Sequence, residues 1–337
     1  MTYPRIDPAL LGETPEQREL RAVARDFFAE HGGDQWKRMA SELGVQGLAI
    51  PEDYGGAGGT FAELAVVLQE AGRALCASRL LPTVVLAAHT LLYSGNTEAC
   101  ARYLPGIVDG TRTATVAFGG DVQVRDGTLH GTADFVLDGA DADLVLVSAN
   151  GQVFASEEVA RTPRRVLDET RPQALLEFRG APAIPIGSAE IVPRVLDVGR
   201  AALAAEQVGG IGHALESTVS YVVQRRQFGR PVGSFQAVKH RLAGLLVEYE
   251  AARSAAAYAA ACVAAESPEL PVAAAATAVC SSAYQLAVAE YVQLHGGIGF
   301  TWEHPAHRHV RRARSSEVLL GTTQDRLAEL AGVLGLA

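Results

Sequence analysis

Near the C-terminus the chain reads RARSSEVLLGTTQDR, Arg312 to Arg326. Its Gly-Thr-Thr-Gln core, Gly321 to Gln324, looks like the edge of a cofactor site, yet the residue before it is Leu320, whose side chain does no acid–base chemistry. A second stretch, YVVQRRQFG, puts Arg225 three residues before a Phe228-Gly229 turn, at the end of a long helical segment. A fixed guanidinium there can grip a pyrophosphate bidentately, although such an Arg on its own also reads as an ordinary surface salt-bridging residue. In a third, QLHGG, Gly296-Gly297 serves equally as a helix end or as a place where backbone approaches a ligand. His304, His307 and His309 invite a metal reading, but only Glu303 stands nearby to complete a ligand set, and no metal is expected.

The elements that must carry these residues are legible from caps and periodicity. Thr14-Pro15-Glu16-Gln17 is a helix start with a capping box, and Leu20, Val23, Ala24 and Phe27 follow at helical spacing. Thr60 with Glu63 opens a second helix. After Asp109-Gly110 the texture turns to short β-rich runs punctuated by Asp-Gly and Asn-Gly, the signals of hairpins. From Ile191 helical texture returns in four long segments, at about 194–227, 235–265, 271–295 and 323–334. The expectation is an α+β chain with an N-terminal helical domain (1–110), a short middle β domain (111–190) and a C-terminal helical bundle (191–337).

Composition narrows the class. The 337 residues are 48% hydrophobic and 20% charged, with a net charge of −9, which gives nucleic-acid binding no electrostatic support. Four cysteines without paired spacing, and a start without a basic and apolar leader, point to a reduced, cytoplasmic protein. Pro271 to Ala289 is uncharged and long enough for a bilayer, but its Ala, Ser, Thr and Gln content fits a buried bundle helix, so no membrane role is expected.

Tyr221 to Arg253, Tyr291 to Arg326 and the passage GLAIPEDYGGAGGTFAELAVVLQEAGRA agree in order and spacing with the acyl-CoA dehydrogenase family, and the chain resembles it over most of its length. That resemblance implies the family's three-part fold and FAD as cofactor. It implies that Arg225 holds the FAD pyrophosphate of a neighbouring subunit, with Gln227, Phe228, Phe235 and Gln236 lining the dinucleotide. Gln293, Gly296 and Gly297 would face the adenosine part, Thr322 and Gln324 would make the last flavin contacts, and Arg200 matches a substrate-site residue. The implied substrate is an acyl-CoA thioester, desaturated between its α and β carbons, with an electron-transfer flavoprotein as acceptor.

The departures matter as much. The family's reaction needs a positioned carboxylate base. The two places where its members carry one are here Leu320 and Gly199. Glu317 lies three residues before the first, and Glu206 seven residues beyond the second, about 10 Å along a helix axis. The Thr-Glu-Pro and Gly-Ser-Asp elements that hold the flavin ring in family members have no counterpart in TATVAFGGDVQVRDG. The sequence therefore reads as a short, non-catalytic partner chain of a heteromeric enzyme such as those acting on steroid or bulky acyl groups. It would complete the FAD site of a second subunit, with two-fold assemblies such as a heterotetramer favoured. Two alternatives stand beside it: a self-sufficient homo-oligomer with a relocated base such as Glu206, and a redox-inactive scaffold.

Overall fold

In the computed structural model the described residues are residue 6, 11–30, 35–76 and 79–336. Helices α1 (Pro15–Glu30), α2 (Trp36–Arg38), α3 (Phe61–Arg73), α4 (Ala88–Tyr93) and α5 (Thr97–Val108) come first. The expected capping box at Thr14 forms in both directions, Gln17 N donating to Thr14 Oγ1 and Thr14 N to Gln17 Oε1, each at 3.2 Å; at Thr60 the backbone N donates to Glu63 Oε2 at 2.9 Å and Oγ1 accepts from Ala62 N at 3.1 Å. Strands β1 (Ala114–Ala117), β2 (Asp121–Arg125), β3 (Thr128–Leu137), β4 (Leu144–Ala149), β5 (Gln152–Ser156), β6 (Ala160–Arg164), β7 (Gln173–Pro182) and β8 (Ile184–Ser188) follow. The chain then runs through α6 (Val192–Gln224), a hairpin of β9 (Arg226–Gln227) and β10 (Arg230–Pro231), α7 (Gln236–Ala264), α8 (Leu270–Ala276), α9 (Ala278–His295), α10 (Ala306–Val318) and α11 (Thr323–Val333). The order of helices, β sheets and helices is the one that the resemblance implies.

By internal contacts the chain divides into two compact units. The first comprises residues 1–31, 65–76 and 200–337, the second residues 32–64 and 77–199. In the second, β1-β4-β5-β8 and β2-β3-β7-β6 form two four-stranded sheets. β2–β3 turns on Asp126-Gly127 and β4–β5 on Asn150-Gly151, all four residues at positive φ, as the hairpin signals require. β4 explains why LVLVSA is a continuous apolar run rather than an alternating one. Leu144 and Leu146 face the core shared with α4 and α5, while Val145 and Val147 face the core shared with the other sheet.

The first unit is a bundle in which α6, α7, α9 and α10 share one core. The segment expected as one helix over 271–295 breaks at buried Thr277, whose hydroxyl donates to the Ala274 carbonyl at 2.6 Å. Residues 270–300 are long and apolar enough to cross a membrane by composition, and 61% of the most apolar window is buried within the protein. Cys280 is buried in this core, Cys262 is buried elsewhere in the same unit, and both are free thiols, as Cys100 is in the other unit. One helix segment not expected from the sequence is α10, whose inward positions include His309 and Arg312 rather than an apolar stripe.

Backbone proximity holds the bundle together. A Cβ on Gly209 of α6 would overlap the Gln69 carbonyl of α3, one on Gly72 of α3 would overlap the Glu206 carbonyl, and one on Gly210 would lie 2.5 Å from the Tyr284 ring of α9. Overpacking of this kind costs about 1–3 kcal/mol or more. Gly209→Val is therefore expected to lower the urea midpoint of unfolding by at least that equivalent, whereas Gly244→Ala, on open helix surface, should not lower it; equal effects would show that the crossing is not tight.

Candidate functional site

α6 ends at Gln224, and Arg225 N still donates to Tyr221 O at 2.8 Å. β9 and β10 then pair across a two-residue turn in which Phe228 (φ +53) and Gly229 (φ +76) are both left-handed. A left-handed aromatic is a genuine backbone outlier, and Phe228 is also 89% exposed. Phe235 meets it edge-on at 6.1 Å, and the Arg230 guanidinium sits 3.9 Å from the Phe235 ring centre. Arg225 itself is exposed and makes no ion pair among the described residues. Gln227 and Gln236 are exposed as well; among the described residues their amides reach the Arg226 carbonyl (2.9 Å) and His240 (2.8 Å).

α9 ends at His295, and Gln293 is exposed on its last turn. Gly296 takes φ +63 and ψ −142, a conformation that only glycine adopts readily. No atom lies within 4 Å of a Cβ built on Gly296 or Gly297, so this flank is open; the crowded position is Gly299, where a Cβ would stand 2.5 Å from the Val292 carbonyl. Among the described residues nothing requires glycine at 297 on grounds of space.

The turn after α10 holds Leu320, half-buried, at φ +59, followed by Gly321 at φ +101. Two neighbours impose this geometry. Arg200 donates from Nε to the Leu320 carbonyl at 2.9 Å and from Nη1 and Nη2 to Glu329 at 2.7 and 3.1 Å. Thr322 caps α11 through a reciprocal box with Asp325, its hydroxyl donating to Oδ2 at 2.7 Å and accepting from the Asp325 amide at 3.2 Å. Gln324 is exposed in the first turn of α11. Glu317 sits at the end of α10, 3.1 Å from Arg314.

Glu206 faces inward from α6 and is 6% exposed, with its Oε2 3.9 Å from Nη1 of buried Arg312, whose Nη2 donates to the Cys76 carbonyl at 3.3 Å. Gly199 is buried on the same helix, seven residues earlier. The structure thus brings Arg200 and Leu320 together through one hydrogen bond, and gives Glu206 a cationic neighbour. Sequence reasoning missed both salt-bridge partners, Glu329 and Arg312. It also gives no signal for Phe135 in the second unit: left-handed (φ +54), 61% exposed, and set where the β3 register slips between Ala133 and Val136. Strain at an exposed aromatic on a bulge marks it as a functional candidate.

Comparison with known proteins places the whole chain. The acyl-CoA dehydrogenase N-terminal domain profile matches residues 14–111 and the C-terminal domain profile residues 189–334. Acyl-CoA dehydrogenase IpdE2 of Mycobacterium tuberculosis is 36% identical, over 94% of this chain and 96% of its own length. A solved variant of the Tcur3481-Tcur3483 steroid ACAD superposes with a TM-score of 0.86 at 32% identity, covering 95% of this chain and 98% of that one. The ChsE4-ChsE5 complex of Mycobacterium tuberculosis does so with 0.88 at 26% identity, covering 97% and 99%.

Four histidines of this unit, His213, His295, His304 and His309, surround the Tyr291 ring, and His307 stands apart from them. His307 packs against Trp302 at 4.7 Å, His304 against His295 at 4.5 Å, and His309 stacks flat on His213 at 4.6 Å while its Nδ1 meets the Tyr284 hydroxyl at 3.1 Å. Burial first, then the Arg73 guanidinium, pushes His213 down to about 4. Burial and the neighbouring imidazole push His309 well below the ordinary range. Both rings are therefore neutral in the fold and would charge on unfolding below about pH 6.5. Stability is expected to hold above pH 6.5 and to fall as pH drops towards 4, by up to tenfold in the unfolding constant per pH unit per titrating ring. Chemical denaturation across that window checks this, and His213→Phe should flatten the fall; an unchanged slope would assign it to other groups.

Proposed function

This chain belongs to the acyl-CoA dehydrogenase family of oxidoreductases, and on that premise we propose that it is a subunit of a heteromeric FAD-dependent enzyme that desaturates an acyl-CoA thioester, not itself supplying the base. One observation carries the reading: an exposed Arg225 without an ion-pair partner among the described residues stands beside an outward Phe228, while the C-terminal turn presents Leu320. The residues present fit a dinucleotide. Arg225 would grip the pyrophosphate, Gln227, Phe228, Phe235 and Gln236 would line it, and the open backbone at Gln293, Gly296 and Gly297 would admit the adenosine part. Thr322 and Gln324 would make the remaining flavin contacts. When bound, FAD supplies the hydride acceptor.

Arg200 would act on the substrate side through the turn it anchors, since its three nitrogens are engaged by Leu320 and Glu329. Proton removal from the α carbon would fall to the partner subunit. The heteromeric names of two structural neighbours support a two-chain assembly, and the steroid term in one supports a bulky acyl group. The domain division at residues 110 and 190, a cytoplasmic location and an electron-transfer flavoprotein as acceptor belong to the same proposal. A self-sufficient homo-oligomer using Glu206 is disfavoured, because that carboxylate is buried beside Arg312.

Purified alone, the chain is expected to be colourless, and co-purified with its partner dehydrogenase subunit the complex should carry FAD. Arg225→Ala should weaken FAD retention in that complex about tenfold or more, consistent with loss of a charged hydrogen-bonding pair; full retention removes the proposed grip. Glu206→Gln should leave turnover of the complex within a few-fold of the parent, and collapse of turnover would instead make Glu206 the base.

A further inference from the structure

The two segments proposed to hold the dinucleotide lie on different helices, and an aromatic contact joins them. Tyr221 is the hydrogen-bond partner of Arg225 one turn back in α6. It stacks on His295, the residue immediately before Gly296, with ring centres 4.3 Å apart and planes at 25°. His295 is 5% exposed. Its Nδ1 lies 2.7 Å from the Tyr291 carbonyl, and since a carbonyl only accepts, the neutral ring carries its proton there. The Tyr291 ring closes one side edge-on at 4.8 Å, and His304 packs tilted at 4.5 Å. The groups facing His295 are thus Tyr221 from α6, Tyr291 from α9 and His304 from the segment before α10, with His307 acting on His304 in turn.

The hairpin's other contacts are with the residues that follow it: Val232 N donates to the Arg225 carbonyl at 2.7 Å, and Phe235 meets Phe228 and Arg230. Val222 is buried against Gly233, but Val223, Gln224 and Arg225 through Arg230 are exposed. Helix ends with few buried contacts open at low free energy unless something pins them. The stack on His295 acts one turn from the hairpin on one side and at the first open glycine on the other.

We infer that His295 is a positioning residue whose stack on Tyr221 fixes the Arg225 hairpin relative to the Gln293–Gly297 segment, and that only its neutral form does so. A positive charge on His295, in a buried site, would cost solvation, and would meet repulsion from His304 whenever that ring is also protonated. Burial, opposed by the Tyr291 carbonyl, already holds His295 below its ordinary range. The coupling should therefore weaken as pH falls below about 6.5. Its consequence for cofactor binding rests on the proposed function; the coupling itself does not.

The test is amide hydrogen exchange on the full chain without ligand, corrected for intrinsic rates, read at residues 226–235. His295→Ala should speed exchange there about tenfold at pH 7.5. His295→Phe, which keeps a ring that cannot titrate, should restore parental rates and abolish the extra opening of the parent between pH 6.5 and 5. Unchanged exchange in a folded His295→Ala overturns the inference, as does a pH response that survives His295→Phe. Should His295→Ala fail to fold, Tyr221→Leu carries the same expectation, and parental exchange in that variant overturns the inference equally. FAD titrated into the partner-assembled complex separates the clamp from the cofactor site. If Arg225→Ala weakens binding and His295→Ala does not, the positioning role is overturned. If neither weakens it while exchange responds as expected, the clamp stands and the dinucleotide reading fails.

Discussion

The close passage of α6 against α3 and α9 is the constraint on which the rest depends. Gly209 and Gly72 let α6 and α3 approach until backbone meets backbone, and Gly210 admits the Tyr284 ring. Such contacts fix the helix in translation and rotation, because no side chain stands between to yield. α6 is 33 residues long, about 50 Å at 1.5 Å per residue. Arg200, Glu206, His213 and Tyr221 are strung along it, so their relative positions follow from helix geometry once the crossing is set, while Arg225 lies one residue beyond its end.

Much of this arrangement is legible in the sequence, and the illegible parts have physical causes. Caps and two-residue turns are local, so Thr14 with Gln17, Thr60 with Glu63, Asp126-Gly127 and Asn150-Gly151 announce themselves. The apolar run in β4 is readable as a strand, though not as one buried on both faces until the second sheet is seen. α10 is not readable, because His309 and Arg312 occupy inward positions where periodicity expects apolar side chains. Their burial is compensated by a ring stack, a tyrosine hydroxyl, Glu206 and a backbone carbonyl, all distant in sequence. The candidate site divides the same way. The Arg225 turn and the QLHGG segment can be picked out by residue type and spacing, whereas the partners of Arg200 and Glu206, and the bulge at Phe135, exist only once the chain has folded.

Polar groups inside this Ala-rich bundle are also what give it a definite packing. Small side chains alone offer many near-equivalent sliding arrangements of helices. Arg326, 1% exposed, donates to Ser281, which also accepts from Gln207, and the three tie α11, α9 and α6 in a single register. These two hydrogen bonds form in one alignment of the helices and are lost in its neighbours, while Gln207 Oε1 and Arg326 Nε have no partner among the described residues.

Leu320 carries one more implication. Its left-handed backbone is unfavourable for a leucine by roughly 1–2 kcal/mol, so the conformation is imposed by Arg200 on its carbonyl and by the Thr322 cap beyond it. A socket built by its surroundings is indifferent to what is plugged into it. The side chain at this position can therefore change by a single codon while Arg200 and the Thr322 cap keep the backbone of the turn in place.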